Sequence, residues 1–151
     1  MGAIAIGSDH AGYSLKEAAK SYVAKKGMEV VDFGTETPDP VDYPDFARKV
    51  AEEVSSGRLA KGILVCGSGV GMTITANKFP AVRAVLALDE ETARMSRLHN
   101  DSNILVLAGR RTEADIAYRI IDTWLATPFE GGRHQKRLDK IADMEKRFSR
   151  C

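Results

Sequence analysis

Five short apolar runs, Ala3–Gly7, Glu29–Phe33, Gly62–Cys66, Arg83–Leu88 and Ile104–Ala108, are each followed by a longer stretch whose apolar positions recur at helical spacing. That alternation leaves the chain few ways to bury its apolar atoms, because each strand–helix–strand unit must return to the same sheet in parallel. The runs are rich in Val, Ile and Leu, so both faces of the sheet need cover. The expectation is an α/β fold: a single-domain three-layer α/β/α sandwich with a five-stranded parallel sheet and a C-terminal helical tail. Helices are predicted over Ser14–Lys26, closed by Gly27, over a segment from the Pro-rich loop Thr37–Pro44 to Gly57, and over Val70–Lys78, Glu90–His99, Glu113–Ala126 and Gln135–Phe148. A length of 151 residues suits one domain, expected over 1–151.

Composition narrows the partners. The 22 basic residues nearly balance the 21 acidic ones, so no global field points to nucleic acid or to an anionic membrane surface. Met1–Gly7 lacks the basic start and the length of a signal peptide, and no stretch is long and apolar enough to span a membrane. Two distant cysteines, Cys66 and the terminal Cys151, make no disulfide framework and suit a reducing cytoplasm, with Cys151 expected to be idle. No His, Cys or Asp cluster has zinc spacing, so neither a metal nor a cofactor is expected.

Ligands of open parallel sheets bind beyond the carboxyl ends of the strands. This rule gathers Ser8-Asp9-His10, Gly34-Thr35, Cys66–Gly71, Asp89 and Gly109-Arg110-Arg111 on one edge. The most informative segment is Ile63–Met72, where an apolar strand runs into a thiol and then into a loop with almost no side chains. Backbone N–H groups from Gly67 to Gly71, including those of Gly69 and Val70, can approach an anion closely, and a helix opening near Gly71 would favour a thiolate at Cys66. Met72 stands where a dinucleotide fingerprint needs its last Gly and where a cysteine phosphatase loop needs Arg, and no Lys-Ser/Thr follows as in a Walker A loop. Nucleotide binding and phosphatase chemistry are thereby disfavoured.

Around that loop stand further candidates. Asp9 reads as a helix cap or as an acid–base group, and His10 as a phosphate donor or acid–base group. Tyr43, in a turn before a helix, reads first as a packing aromatic with a tethered hydroxyl. Arg133 and Arg137 lie one helical turn apart after Gly131-Gly132 and could close on one phosphate, and Arg110 and Arg111 add cations, one of which could instead pair with helix acids. His99-Asn100 ends the helix before the fifth strand and so belongs to the amino edge, a strand's length of roughly 17 Å from Cys66. His99 is then either a helix cap or a residue that serves a neighbouring subunit across a two-fold dimer.

Taken in order, Ser8-Asp9-His10-Ala11-Gly12, Asp42-Tyr43-Pro44, Gly62–Gly71, Ala76-Asn77-Lys78, Ser96–Asp101 with Asn103, and Glu130–His134 closely resemble the sugar-phosphate isomerase family of the type B ribose-5-phosphate, galactose-6-phosphate and allose-6-phosphate isomerases. The resemblance covers nearly the whole chain. It implies a five-stranded parallel sheet in Rossmann-like, flavodoxin-like order, and a homodimer, with a tetramer as the alternative, whose active sites are shared between subunits. It implies interconversion of ribose 5-phosphate and ribulose 5-phosphate, with another sugar phosphate or a non-catalytic phosphosugar-binding module as alternatives. Cys66 would take the C2 proton, His99 would help open the furanose ring, Asp9 would assist at the ring oxygen or hydroxyls, and Ser68 would lie beside the reacting oxygens. The amides of Gly67 to Gly71 would hold the enediolate. His10, Arg133 and Arg137 would take the phosphate, supported by Asn100 and Arg110. One branch of the family uses Cys as base and another a Glu at the place of Met72; Met cannot act as a base, which selects the thiolate branch.

Overall fold

A computed structural model describes residues 2–149, so Cys151 lies outside the described residues. Strands β1 (Ile4–Ser8), β2 (Val30–Asp32), β3 (Lys61–Cys66), β4 (Ala84–Leu86) and β5 (Ile104–Ala108) alternate with helices α1 (Tyr13–Lys25), α2 (Tyr43–Ser55), α3 (Val70–Ala76), α4 (Glu90–Asn100) and α5 (Ala114–Ala126), and α6 (Arg133–Phe148) follows. All strand pairs are parallel, in the order β2-β1-β3-β5-β4. This is the α/β sandwich that the alternation predicts, in the flavodoxin-like order that the resemblance implies, with β5 beside β3 and β4 sent to the edge. The reason is burial: β5 is buried at all five positions, whereas Val85 and Leu86 of β4 are only partly covered.

Side chains alternate between two cores, as a period of two demands. Ile4 and Ile6, Ile63 and Val65, and Leu105 and Leu107 face Leu15, Ala19, Ile120 and Trp124 of α1 and α5. Ala5, Leu64, Cys66, Ile104 and Val106 face Ala47, Val50 and Ala51 of α2 and Met72 and Ala76 of α3. The thiol therefore belongs to the α2–α3 side of the sheet.

Both edge strands are shorter than the apolar runs that foretell them, because an edge strand has a neighbour on one side only. Asn77 completes the backbone pairing of β4 from the other side: its Nδ2 donates to Ala84 O at 2.9 Å and its Oδ1 accepts from Ala84 N at 2.8 Å. At the opposite edge, the fully buried Lys16 of α1 donates to both carboxylate oxygens of Asp32 at 3.0 and 2.8 Å, and Lys20 adds a bond of 2.8 Å. Asp32 in turn accepts the Gly34 N–H at 2.9 Å. Ser8 N then donates to Gly34 O and Thr35 N to Ser8 O, so this ion cluster docks the turn after β2 onto the end of β1, one residue before Asp9. The tail helix begins at Arg133, two residues earlier than predicted, after Gly131 and Gly132 turn the chain at positive φ. Among the described residues no helix is long and apolar enough to cross a membrane.

Candidate active site

Beyond the carboxyl ends of β1, β3 and β5 lies a cleft of about 450 Å³, lined by Asp9, His10, Ala11, Tyr43, Cys66, Gly67, Ser68, Gly71, Arg110 and Arg111. Its size is that of a small-molecule site. Cys66 is the last residue of β3 and only 4% exposed. Its carbonyl accepts the Gly109 N–H at 2.8 Å, and Gly67 O accepts the Arg110 N–H at 3.1 Å, so the ends of β3 and β5 are locked together beneath the loop.

Two glycines shape that loop. Gly69 turns the chain into α3 at φ +77°, where a Cβ would lie 2.3 Å from Leu86 Cδ1. Gly71 sits beneath the Tyr43 ring, whose carbons would be 2.6 Å from a Cβ there. Tyr43 opens α2 and thereby walls the cleft. Ser68 is exposed, and its Oγ accepts the Val70 N–H at 3.2 Å, which leaves its own O–H free to face a ligand. Met72 is fully buried in the core cluster that also holds Cys66.

The end of β1 supplies an acid and an imidazole. Asp9 is buried, and its Oδ1 accepts the Gly12 N–H at 2.9 Å, a capping role that occupies one oxygen. His10 Nδ1 lies 3.1 Å from Val41 N and 3.2 Å from Val41 O. When Nδ1 accepts the Val41 N–H, the proton of the neutral ring rests on Nε2 and His10 can donate from there. The Arg110 side chain lies against Gly67, and among the described residues neither Arg110 nor Arg111 forms an ion pair, so neither pairs with helix acids. Two uncompensated guanidinium groups and a histidine donor make the cleft attractive to an anion.

His99, Asn100, Arg133 and Arg137 do not line this cleft. His99 and Asn100 end α4 at the amino edge, as its antiparallel return dictates, and Arg133 and Arg137 open α6, which packs on α4. Glu130 N donates to Leu98 O at 3.0 Å, which ties the α5–α6 connection to the end of α4. There the His99 and His134 rings stack with centroids 4.2 Å apart and planes 14° from parallel. Glu130 Oε2 stands 3.9 Å from His99 Nε2 and 3.7 Å from His134 Nε2. Burial pushes the His134 imidazole below its ordinary pKa; His99 and Arg133 push the same way and Glu130 opposes them.

His134 and Glu130 were not singled out from the sequence. Glu130 lies in the α5–α6 connection and His134 in the first turn of α6, and the pair gains meaning only beside His99, which is far away in the chain. The donor atoms of His99, Glu130 and His134 lie within 4.8 Å of one another, close enough to surround an ion. Near-parallel stacked imidazoles, however, cannot both aim an in-plane lone pair at one ion, so this arrangement does not fit a metal.

Comparison with known proteins adds four findings. The profile that defines the Ribose/Galactose Isomerase family matches residues 4–141. Ribose-5-phosphate isomerase B of Escherichia coli (strain K12) is 43% identical over 147 residues, which cover 97% of this chain and 99% of that protein. Among solved structures, ribose-5-phosphate isomerase B of Clostridium thermocellum superposes with a TM-score of 0.96 at 51% identity, covering 97% of this chain and 99% of that one. The Mycoplasma genitalium enzyme with bound ribulose 5-phosphate superposes with a TM-score of 0.93 at 42% identity, covering 96% and 97%.

Proposed function

The chain belongs to the ribose/galactose isomerase family, and on that premise we infer that it is an aldose–ketose isomerase that interconverts D-ribose 5-phosphate and D-ribulose 5-phosphate. The observation that carries this reading is the cleft itself, where a thiol at a strand end meets a loop of backbone amides, a hydroxyl and unpaired cations.

Isomerisation needs a base that moves a proton between C2 and C1 and a set of donors for the enediolate between them. Cys66 is that base. Its neighbour Met72 is buried and carries no carboxylate to compete with it. The amides of Gly67, Gly69 and Gly71, with the Ser68 hydroxyl that the Val70 N–H orients, hold the developing negative oxygens in a preorganised site. Asp9, with one oxygen capping Gly12, offers the other to the sugar hydroxyls. His10 donates Nε2–H to the phosphate, and Arg110 supports it. Tyr43 closes the wall over the sugar. A free thiol of this kind suits a reducing, cytoplasmic setting.

The ring-opening residue and the second phosphate clamp, His99 and Asn100 with Arg133 and Arg137, serve the cleft of a second subunit. Two observations support a homodimer with shared sites. The two groups stand at opposite edges of one chain's sheet, and large apolar side chains remain uncovered beside each, Val70 and Ile74 on α3 and Ile141, Met144 and Phe148 on α6.

The test is to measure turnover of ribose 5-phosphate, allose 6-phosphate and galactose 6-phosphate, with a chelator present, for the wild type and Cys66→Ala. The five-carbon substrate is expected to turn over fastest, and Cys66→Ala to lose on the order of a thousandfold. Binding of ribose 5-phosphate without turnover, or full activity in Cys66→Ala, overturns the reading.

A further inference from the structure

We propose that His134 is a positioning residue for His99: its buried ring supplies the face on which the His99 imidazole stacks, while Glu130 stands at the Nε2 atoms of both rings. The inference rests on the reading of His99 as the group that opens the sugar ring in the partner's cleft.

The two imidazoles are unequal. His134 is 3% exposed and anchored in the first turn of α6, with its N–H donating to Gly131 O at 3.1 Å, whereas His99 is partly exposed at the last turn of α4. His134 Nε2 is buried and has no hydrogen-bond partner among the described residues. A core position that needed only bulk would be filled more cheaply by an aliphatic side chain, since an unpaired buried polar atom is a cost. What an imidazole adds here is a flat, neutral face of matching size beneath His99.

The stack also constrains the charge of the pair. Two imidazolium rings face to face repel each other, so the pair carries one positive charge at most. The charged groups around it are Glu130 from the α5–α6 connection and Arg133 and Arg137 from α6, with His99 itself coming from α4. Burial disfavours a charge on His134, and the more exposed His99 stands with its Nε2 3.9 Å from the Glu130 carboxylate. In the proposed role His99 is the acid. In ring opening the C1–O4 bond breaks, O4 takes the proton from His99, and the O1 hydroxyl gives its proton to Asp9, which leaves the open-chain aldehyde.

The substrate pair gives a test that a merely structural role would not pass. Ribulose 5-phosphate carries its phosphate on the oxygen that would close a ring, so it reacts in open form, whereas ribose 5-phosphate is mostly furanose. Initial rates are measured in both directions for the wild type, His134→Ala, His134→Phe and Glu130→Gln. At saturating substrate His134→Ala is expected to lose about tenfold or more in kcat from the aldose side and to stay within about twofold from the ketose side, with the aldose KM falling in step because the equilibrium constant fixes the ratio of the two kcat/KM values. Glu130→Gln should show the same asymmetry, and His134→Phe, which keeps a stacking face, should recover most of the aldose rate. Unchanged aldose rates in His134→Ala, or equal losses in both directions in His134→Phe, overturn the proposal. A wild type silent in both directions counts against the isomerase reading instead.

Discussion

At the scale of single residues, the carboxyl-edge cleft depends on positions where a side chain cannot be tolerated. Gly69 combines φ +77° with the Leu86 methyl in the space of a Cβ. Gly69→Ala is therefore expected to cost about 2 kcal/mol in chemical denaturation and to lower kcat more than KM, because the shifted amides bind the enediolate more than the ground state. Cys66→Ser keeps the shape of the site but lacks a competent base, and should retain less than about a hundredth of wild-type kcat while folding normally by circular dichroism. These residues were legible in the sequence because they are consecutive: Ser8-Asp9-His10 and Cys66–Gly71 each follow a recognisable strand, and the topology alone puts them on one edge. Tyr43 was harder to place, since nothing in Asp42-Tyr43-Pro44 says that its ring lies over Gly71. His134 stayed hidden because its meaning depends on a stacking partner on another helix.

At the scale of elements, the alternation of apolar runs and helical stretches foretells every strand and helix, while edge effects and buried charge escape it. The apolar stripe of α1 contains a lysine: Lys16 is fully buried and reaches Asp32, tying α1 to β2. Periodicity assigns such a residue to solvent, because it has no view of the carboxylate that compensates it. Removing one member leaves the other uncompensated, so Lys16→Met is expected to cost about 3 kcal/mol in urea denaturation. Burial works to raise the Asp32 pKa, but bonds from Lys16, Lys20 and Gly34 outweigh it and hold the carboxyl below its usual range. A depressed folded value means stability that is full above the ordinary carboxylate pKa of about 4 and is lost as the pH falls through the lower folded value. The wild type should thus lose Tm between neutral pH and about pH 3 more steeply than Asp32→Asn, and parallel Tm profiles would refute the linkage. At the other edge, Asn77→Ala removes both bonds to Ala84 and should cost about 2 kcal/mol, read as hydrogen-exchange protection lost first from β4.

At the scale of the whole molecule, one chain carries two groups of candidate site residues on opposite edges of its sheet. The cleft at the carboxyl edge has the thiol, the amide loop, His10 and Arg110, and the amino edge has the stacked histidines with Arg133 and Arg137. The separation follows from the direction of α4, and helix direction can be read from the order of elements, so the distance of His99 from Cys66, which leaves it a helix cap or a residue for a neighbouring subunit, could be read before any coordinates. How two chains meet cannot be read that way, because it depends on which exposed apolar faces match. The decisive measurement is to unfold, mix in equal amounts and refold Cys66→Ala and His99→Ala, each inactive by itself, and then assay ribose 5-phosphate isomerisation. Random pairing makes half of the dimers mixed, each with one intact site of two, so shared sites predict about a quarter of wild-type activity. No recovery in heterodimers verified by native mass spectrometry would contradict shared sites.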